Sequence, residues 1–400
     1  MASLKNVYVD LHIHIGRTKS NKPVKITASR ELTLTNILTA ALHAKGLDVV
    51  GIIDAQSPEV LEEVQALVTA GEAVELAGGG IKYAGQLTIL LGAEIEVLDE
   101  SCHGPIHVLC FLPTLETMGH FSQWCSEWMK NSGLSSQRLY RTGRELQHLV
   151  KSLDGWFIPA HVFTPFKSLY GKGVQSSLEE VFDPELIDAV ELGLSSDTGM
   201  ADQLLELGSY PFLTNSDAHS VAKMAREHQI MTLNEASFVE MEKAFRREDG
   251  REIAVNVGLH PLLGKYYHSV CAVCSSQAVN GRCPNGHEGK VIRGVAGRIA
   301  ELAALQQKQQ VIKQRAAGKT RQKRPKYLHQ VPLEFIPGCG PKTMKRLLDV
   351  FQTEMKVIHH ATEQQLLEVV PKKVVDKIIQ ARTGALAIVG GGGGIYGKLN

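Results

Sequence analysis

Asp10-Leu11-His12-Ile13-His14 follows the apolar run Val7-Tyr8-Val9. In an extended strand the side chains alternate between faces, so Asp10, His12 and His14 share one face while Val9, Leu11 and Ile13 share the other. Two imidazoles two residues apart on one face can hold a cation between them. The pair is weak evidence alone, but later apolar runs carry more residues of ligand type. Asp54 follows Leu47 to Ile53, Glu94 and Glu96 lie within Leu87 to Val97, and His107 lies in Ile106 to Leu112. His161 follows Trp156 to Ala160, Glu191 lies in Leu186 to Leu192, and Asp217 and His219 follow Tyr210 to Thr214. Buried charge is costly unless it is paired or bound to metal. This series is therefore expected to hold two or three divalent ions, with zinc, magnesium or manganese as occupants. The ligand set read from the series is His12, His14, Asp54, Glu94, His107, His161, Asp217 and His219. Glu191 stays open between a ligand and an ordinary strand-end charge.

A second cluster has a different character. Cys271-x2-Cys274-x8-Cys283-x3-His287 has the ligand types and spacing of a closed tetrahedral site, and Gly281, Pro284 and Gly286 supply the turns between ligands. One structural zinc is expected there. The chain has seven cysteines, an odd number, and no secretory signal, which points to a reducing, cytoplasmic compartment close to the nucleoid.

The net charge is only +1, but residues 308–326 hold eight Lys and Arg and no Asp or Glu. A solvated linker is the plain reading of such a block. The sequence beyond it favours nucleic acid. Ile336-Pro337-Gly338-Cys339-Gly340-Pro341-Lys342, set between amphipathic segments, reads as a helix-hairpin-helix. In that motif the backbone N–H groups of a Gly-x-Gly hairpin meet a DNA phosphate. Gly338, Gly340 and Lys342, with Arg324 and Lys326 from the basic block, are the expected DNA contacts. The competing reading is an ordinary helical hairpin with a glycine turn.

The elements that must position these residues alternate as strand and helix over the first 250 or so residues. That pattern predicts an α/β fold with a parallel sheet, whose strand ends gather ligands on one rim. Helices are expected over 34–44, 137–152, 197–208 and 235–248. The predicted division is a metal-dependent barrel over 1–258, a zinc module over 259–292, a basic helical segment over 293–330, a helix-hairpin-helix domain over 331–385 and a Gly-rich tail over 386–400. No run of about 18 apolar residues is present, so no membrane span is expected.

The motifs Asp10-Leu-His12-Ile-His14, Gly92-Ala-Glu94-Ile, His107, Pro159-Ala-His161 and Asn215-Ser-Asp217-Ala-His219 resemble those of the PHP (polymerase and histidinol phosphatase) family. That resemblance implies a distorted (β/α)7 barrel, a trinuclear metal centre and hydrolysis of phosphate esters. One departure stands out: many members carry Thr-Asp-His where this chain reads Ile53-Asp54-Ala55, so one ligand of one metal is missing and Asp54 is the candidate replacement.

The order of barrel, zinc module, basic segment and hairpin is similar to that of the endonuclease Q family of DNA repair nucleases. Leu192-Gly-Leu-Ser-Ser-Asp197 and Arg226-Glu227 resemble that family too. The resemblance implies a metal-dependent endonuclease that cuts DNA 5′ of deaminated bases (uracil, hypoxanthine, xanthine) and abasic sites, leaving a 3′-hydroxyl and a 5′-phosphate. On this reading Asp217, Glu94, His12 and His14 are catalytic, with Asp217 first among them, and a damaged base flips into a pocket. Phe163, Phe166 and Tyr170 are candidates to stack on that base, with core packing equally open. Arg17 is a candidate phosphate contact, with a surface ion pair equally open. A monomer is the expected assembly, and a sliding clamp is left open as a partner. The alternative is a PHP-type phosphatase or 3′–5′ exonuclease, which would leave the zinc module and hairpin idle.

Overall fold

The computed structural model describes residues 3–279, 281–289 and 291–384, together with the short strands Ile388–Val389 and Lys398–Leu399. Most of the Gly-rich 386–400 segment lies outside the described residues. Among the described residues no helix is long and apolar enough to cross a membrane.

The strands that build the ligand rim form a ring. β1 (Lys5–Ile13) pairs in parallel with β2 (Val49–Ile52), and β2 pairs in parallel with β3 (Leu87–Val97). β4 (Ile106–Leu112) is antiparallel to β3, and β5 (Trp156–Pro159) is antiparallel to β4. β6 (Val190–Glu191) and β7 (Phe212–Leu213) run parallel to each other. β6 meets the end of β5 through Val162 N–H to Glu191 O at 3.0 Å. The ring closes where Ala218 N–H donates to His12 O at 3.0 Å and His14 N–H donates to Ala218 O at 3.2 Å. On the other side of β1 the sheet continues through β8 (His228–Leu233), β9 (Glu252–Gly258) and β10 (Lys326–His329).

The sheet is mixed where a parallel one was expected: β8 is antiparallel to β1 and β9 to β8, and two further features depart from the expectation. β4 is antiparallel because the link over 98–105 is too short for a crossover helix. His107 therefore stands near the start of its strand, opposite Glu96, and still reaches the rim. The second departure is β10, which comes from the basic segment 293–330 and pairs in parallel with β9. That segment is not a detached linker. Helix Val295–Gln306 packs on the first 258 residues through Arg298, which donates to Tyr170 O and Val174 O at 2.8 and 2.9 Å. The expected helix over 137–152 begins only at Gly143, where Thr142 and Glu145 form a capping box; Arg138–Leu139 before it is a short strand against β3.

The β1 alternation is read out as expected. Val7, Val9 and Leu11 pack with Trp156, Phe238 and Phe245 in one apolar layer. Trp156 and Phe238 stack with ring centroids 3.7 Å apart. Asp10, His12 and His14 are fully buried on the opposite face.

The helical C-terminal region docks on the outside of β1 and β2. Lys45 reaches Glu354 Oε1 at 2.8 Å and Ala222 O at 2.9 Å. Gly46, at φ +81°, lies so close that a Cβ would come within 2.5 Å of Thr353. Tyr8 stacks on His359 and donates to, or accepts from, His360 Nε2 at 2.8 Å. His228 Nδ1–H donates to Ala225 O, which leaves its Nε2 to accept from His359 Nε2–H at 3.3 Å. His228 must be neutral at Nε2 for that contact, and a charge on both rings would drive them apart. Burial lowers His228 to about 3 and His359 to about 4, below the ordinary 6.5. Their contribution to docking is therefore complete above about pH 6.5 and is lost as pH falls toward 4, at up to about 1.4 kcal/mol per pH unit per group. Amide protection over 341–384, measured against the intrinsic exchange rate at each pH, is expected to fall between pH 7 and pH 5, and His359→Phe should flatten that response.

Candidate metal centre

Glu94, His107, His161, Asp217 and His219 line one cleft of about 420 Å3, and the buried His12 and His14 meet Glu94 and Asp217 within 3.6 Å. Two triads have ligand atoms mutually within 4.8 Å: His12, His14 and Asp217, and Glu94, His107 and His161. Glu94 stands between them. Its Oε1 lies 2.9 Å from His107 Nδ1, 3.2 Å from His161 Nε2 and 3.6 Å from His12 Nε2. Its Oε2 lies 3.6 Å from His14 Nε2. Asp217 Oδ1 is 3.5 Å from His12 Nε2 and 3.6 Å from His14 Nε2.

Those separations decide what the cluster is for. At 3.5–3.6 Å the His12, His14 and Asp217 atoms are too far apart for good hydrogen bonds. Two donors that share a tetrahedral ion at about 2.1 Å each would stand about 3.4 Å apart. His12 Nε2, His14 Nε2 and His107 Nε2 are buried and have no hydrogen-bond partner. Orphaned buried nitrogens are costly, and a divalent ion at the first triad satisfies those of His12 and His14, while His107 turns Nδ1 to Glu94 and Nε2 toward Glu96 at 3.8 Å. The residues present thus fit two ions, with Glu94 positioned to serve both.

Behind the imidazoles lies a layer of carboxylates that fixes them. Glu191 Oε1 takes His12 Nδ1 at 2.9 Å and Asn215 Nδ2–H at 2.7 Å, while its Oε2 accepts the His161 N–H at 2.8 Å. Asp54 Oδ2 faces His14 Nδ1 at 3.2 Å and accepts the Ile15 N–H at 2.7 Å. Each presents the other imidazole nitrogen to the metal position. Asp54, expected from the sequence to be a direct ligand, belongs to neither triad and stands against the Nδ1 side of His14 and the Ile15 N–H. Glu191 does the same work for His12.

The backbone is bent to place two of the ligands. Asp217 and His161 have φ of +45° and +31°. Such conformations cost about 1–3 kcal/mol for a non-glycine residue and persist only where the surroundings impose them. Arg226 imposes one, donating to Ser216 O at 2.7 Å and Asp217 O at 3.2 Å. Gly193 permits the other: its φ is +79°, and a Cβ there would lie 2.9 Å from His161 Cβ.

The field at the site is divided. Burial alone would raise Glu94, but His107 and Lys25 hold its carboxyl well below the usual range. Burial likewise opposes ionisation of Asp217, and His12 and His219 overcome it. Burial would lower His12, but Glu191 and Asp217 carry it well above its ordinary value. Burial and Lys25 push His14 down to about 4, so that it is a neutral ligand at pH 7.

His219 stands at the mouth, its ring 4.8 Å from that of His14 and outside both triads. Sequence reasoning missed Lys25, whose Nζ lies 3.0 Å from Glu94 Oε2. No local signal marks it, because it sits in an irregular segment well away from any strand end.

Several candidate contacts are reassigned. Phe163 and Tyr170 are buried, stack on each other at 5.4 Å, and the Tyr170 hydroxyl donates to Glu206 at 2.9 Å. Both belong to the core and are not available to a base. Phe166 is exposed, on the cleft wall beside Tyr266. Arg17 donates to Asn21 O at 2.6 Å. Arg324 is withdrawn from the DNA-contact set: it is half-buried, bonds Asp202 Oδ1 at 2.9 Å and Leu207 O at 2.9 Å, and lies over the Phe212 ring. Arg315, Lys319 and Arg321 pair with Glu179, Glu185 and Asp202. The basic block thus neutralises acidic groups of the first 258 residues. Lys326 remains exposed.

Downstream, Cys271, Cys274, Cys283 and His287 form a third cluster with ligand atoms within 4.8 Å of one another. Cys274 Sγ and Cys283 Sγ are 3.5 Å apart, too far for a disulfide and suited to a shared ion. His287 Nδ1 lies 3.4 Å from Cys283 Sγ. Ser276 and Asn285 hold the Cys274 thiol down at about 5, toward the thiolate that metal binding requires. In the C-terminal region Gly338 takes φ +97° and Gly340 caps helix Pro341–Phe351. Lys342, Lys345 and Arg346 are exposed around that helix start. The segment before it is a single 3-10 turn, Leu333–Phe335, held short between Pro332 and Pro337.

An α/β ring with two His–carboxylate triads on its rim, followed by a Cys3His cluster and a helical region, defines a protein built to hold divalent ions. No family model matches the chain. The uncharacterized protein YqxK of Bacillus subtilis is 50% identical over 398 residues, 99% of this chain and 100% of YqxK. The crystal structure of the lesion-specific endonuclease PfuEndoQ from Pyrococcus furiosus matches with a TM-score of 0.82 at 30% identity, covering 99% of this chain and 95% of that one. A structure of endonuclease Q in complex with a 27-mer duplex substrate carrying an abasic lesion at the active site matches at 0.81 and 29%, covering 99% and 96%. The chain belongs to the endonuclease Q family.

Proposed function

We propose that this protein is a metal-dependent DNA repair endonuclease with a (β/α)7-type PHP barrel as its catalytic unit. It cuts the phosphodiester 5′ of uracil, hypoxanthine, xanthine or an abasic site and leaves a 3′-hydroxyl and a 5′-phosphate. The observation that carries this reading is the pair of ligand triads in one open cleft, within a chain alike over its full length to a lesion-specific endonuclease. In the reaction a water oxygen bonds to phosphorus, the bond from phosphorus to the 3′-oxygen breaks, and that oxygen takes up a proton. The ions, when bound, lower the pKa of the attacking water and stabilise the negative charge that develops on the leaving oxygen.

The chain's own residues prepare that step. His12, His14 and Asp217 would hold one ion, His107 and His161 the other, and Glu94 both. Glu191 and Asp54 fix the imidazole tautomers and ring planes, and Asn215 fixes Glu191. The Cys3His cluster would take one structural zinc. Lys326, Gly338, Gly340 and Lys342 are exposed and would meet DNA phosphates, contacts that read backbone rather than sequence. Phe166 on the cleft wall is the remaining aromatic candidate to meet a flipped base.

A labelled duplex with one deoxyuridine, deoxyinosine or abasic site, incubated with Mg2+ or Mn2+, tests the reading. A single internal cut 5′ of the lesion is expected. Laddering from the DNA ends would identify an exonuclease, and release of phosphate from small esters without any internal cut would identify a phosphatase. Lys342→Glu should weaken binding to lesion and undamaged duplex alike and make log Kd less steep against log salt by about one phosphate contact.

A further inference from the structure

Lys25 is the least expected residue of the cleft. It lies in the irregular segment after β1, yet its backbone is held: Lys25 N–H donates to Ile15 O at 2.8 Å, and Ser135 N–H donates to the neighbouring Val24 O at 3.0 Å. Its side chain is 13% exposed and lines the cleft with His107, His161 and Asp217. Nζ donates to Glu94 Oε2 at 3.0 Å and to Ser136 Oγ at 2.5 Å. An ammonium has three donors, so one is left for the cleft.

A buried ammonium beside two ligand triads works against the triads. It repels the cations that His12, His14, His107 and His161 are set to bind, and it competes for the carboxylate best placed to serve both. Glu94 has no need of it, since His107 and His161 already lie at 2.9 and 3.2 Å. Its position makes sense if an anion arrives in the same space, because the anion's charge then offsets the repulsion. The other lysine of the cleft, Lys167, is half exposed and is taken up by Glu96 at 2.9 Å. Asp54, where the PHP resemblance leaves room for a third ion, is occupied by His14 and Ile15, and the described ligand atoms form only two triads here.

We propose that, beside the two ions the triads fit, the Lys25 ammonium is a third positive charge, donating to a non-bridging oxygen of the scissile phosphate. The proposal rests on the phosphodiester reading above and makes Lys25 a catalytic residue of that reaction. A point charge on a flexible stem suits a phosphate oxygen whose charge grows in the transition state.

The test uses full-length protein and three readouts. Metal analysis of wild type and Lys25→Met should both give two ions per chain in addition to the zinc of the Cys3His cluster. Calorimetric titration of the metal-loaded proteins with inorganic phosphate should show at least about tenfold weaker binding by Lys25→Met. Single-turnover cleavage of the lesion duplex should fall by about 10²-fold or more, with Lys25→Arg recovering part of both losses. If Lys25→Met does not fold, Lys25→Gln serves in its place. Unchanged phosphate affinity overturns the proposal. Three ions in the cleft of the wild type also overturn it, as does loss of an ion in Lys25→Met that accounts for the lost phosphate affinity. If the wild type cuts no lesion duplex, the endonuclease reading fails, while metal content and phosphate affinity still decide the role of Lys25.

Discussion

Asp217→Asn is expected to reduce cleavage of a lesion duplex by about 10³-fold or more while leaving duplex affinity within a few-fold of wild type. The substitution is unusually clean. Asp217 sits at φ +45°, a conformation that asparagine tolerates about as well as aspartate does. Arg226 fixes the local carbonyls, so the backbone should not move. What changes is one negative charge, on a side chain 30% exposed to the cleft and 3.5–3.6 Å from two imidazole nitrogens. The first ion position is left with only the Glu94 it shares with the second, at 3.6 Å from His12 and His14 Nε2, whereas the second keeps all of its ligands. Metal analysis should therefore show about one ion lost. Added Mn2+ should restore little activity, because a neutral amide oxygen replaces the carboxylate. Asp217→Ala would confound the result by putting alanine at positive φ. Full cleavage by Asp217→Asn would remove Asp217 from the reaction, and loss of duplex binding would show that the variant disturbs more than one charge.

The rim was legible in the sequence because strands bury with period two. Once Val7, Val9 and Leu11 face an apolar layer, Asp10, His12 and His14 must face the ring interior, and only partners or metal make that tolerable. Glu94, His107, His161 and Asp217 were located instead as ligand types within or just after apolar runs, on the expectation of a parallel sheet. The antiparallel course of β4 could not be foreseen from His107, since either direction presents it to the rim. Three other kinds of residue escaped. Lys25 is placed by a loop whose course depends on hydrogen bonds to Ile15 and Val24, and no periodicity encodes that. The basic block looked free because its partners, Glu179, Glu185 and Asp202, lie more than a hundred positions earlier in the chain. Phe163 and Tyr170 follow a ligand directly, and only the packing of the helix Val295–Gln306 region and Glu206 around them reveals that they are core. Asp54 was found as a ligand, whereas in the structure it stands behind His14 and in neither triad. Ligand and ligand-orienting carboxylates share composition and strand position, and they differ only in which side of the imidazole they stand on.

That difference leads to a measurable contrast between two carboxylates. Asp54→Ala is expected to lower metal affinity about 10–100-fold, the usual consequence of removing a carboxylate behind a metal-bound histidine. His14 keeps its Nε2 facing the ion position but loses the acceptor at Nδ1, 3.2 Å away, that sets its tautomer and ring plane. The variant also strands the Ile15 N–H, which Asp54 accepts at 2.7 Å in a fully buried setting, at a cost of about 1–3 kcal/mol. Cleavage at low metal should therefore fall by a similar 10–100-fold and should return largely at millimolar Mn2+, because all the direct ligands are still present. Asp217→Asn should not return. Ser135 Oγ, 3.1 Å from His14 Nδ1, offers a weaker neutral acceptor and is expected to carry the residual orientation, so Asp54→Ala/Ser135→Ala should lose the metal rescue. A stoichiometric loss of one ion from Asp54→Ala, persisting at saturating metal, would place Asp54 among the direct ligands after all and would reopen the cleft to a third ion at the position here given to Lys25.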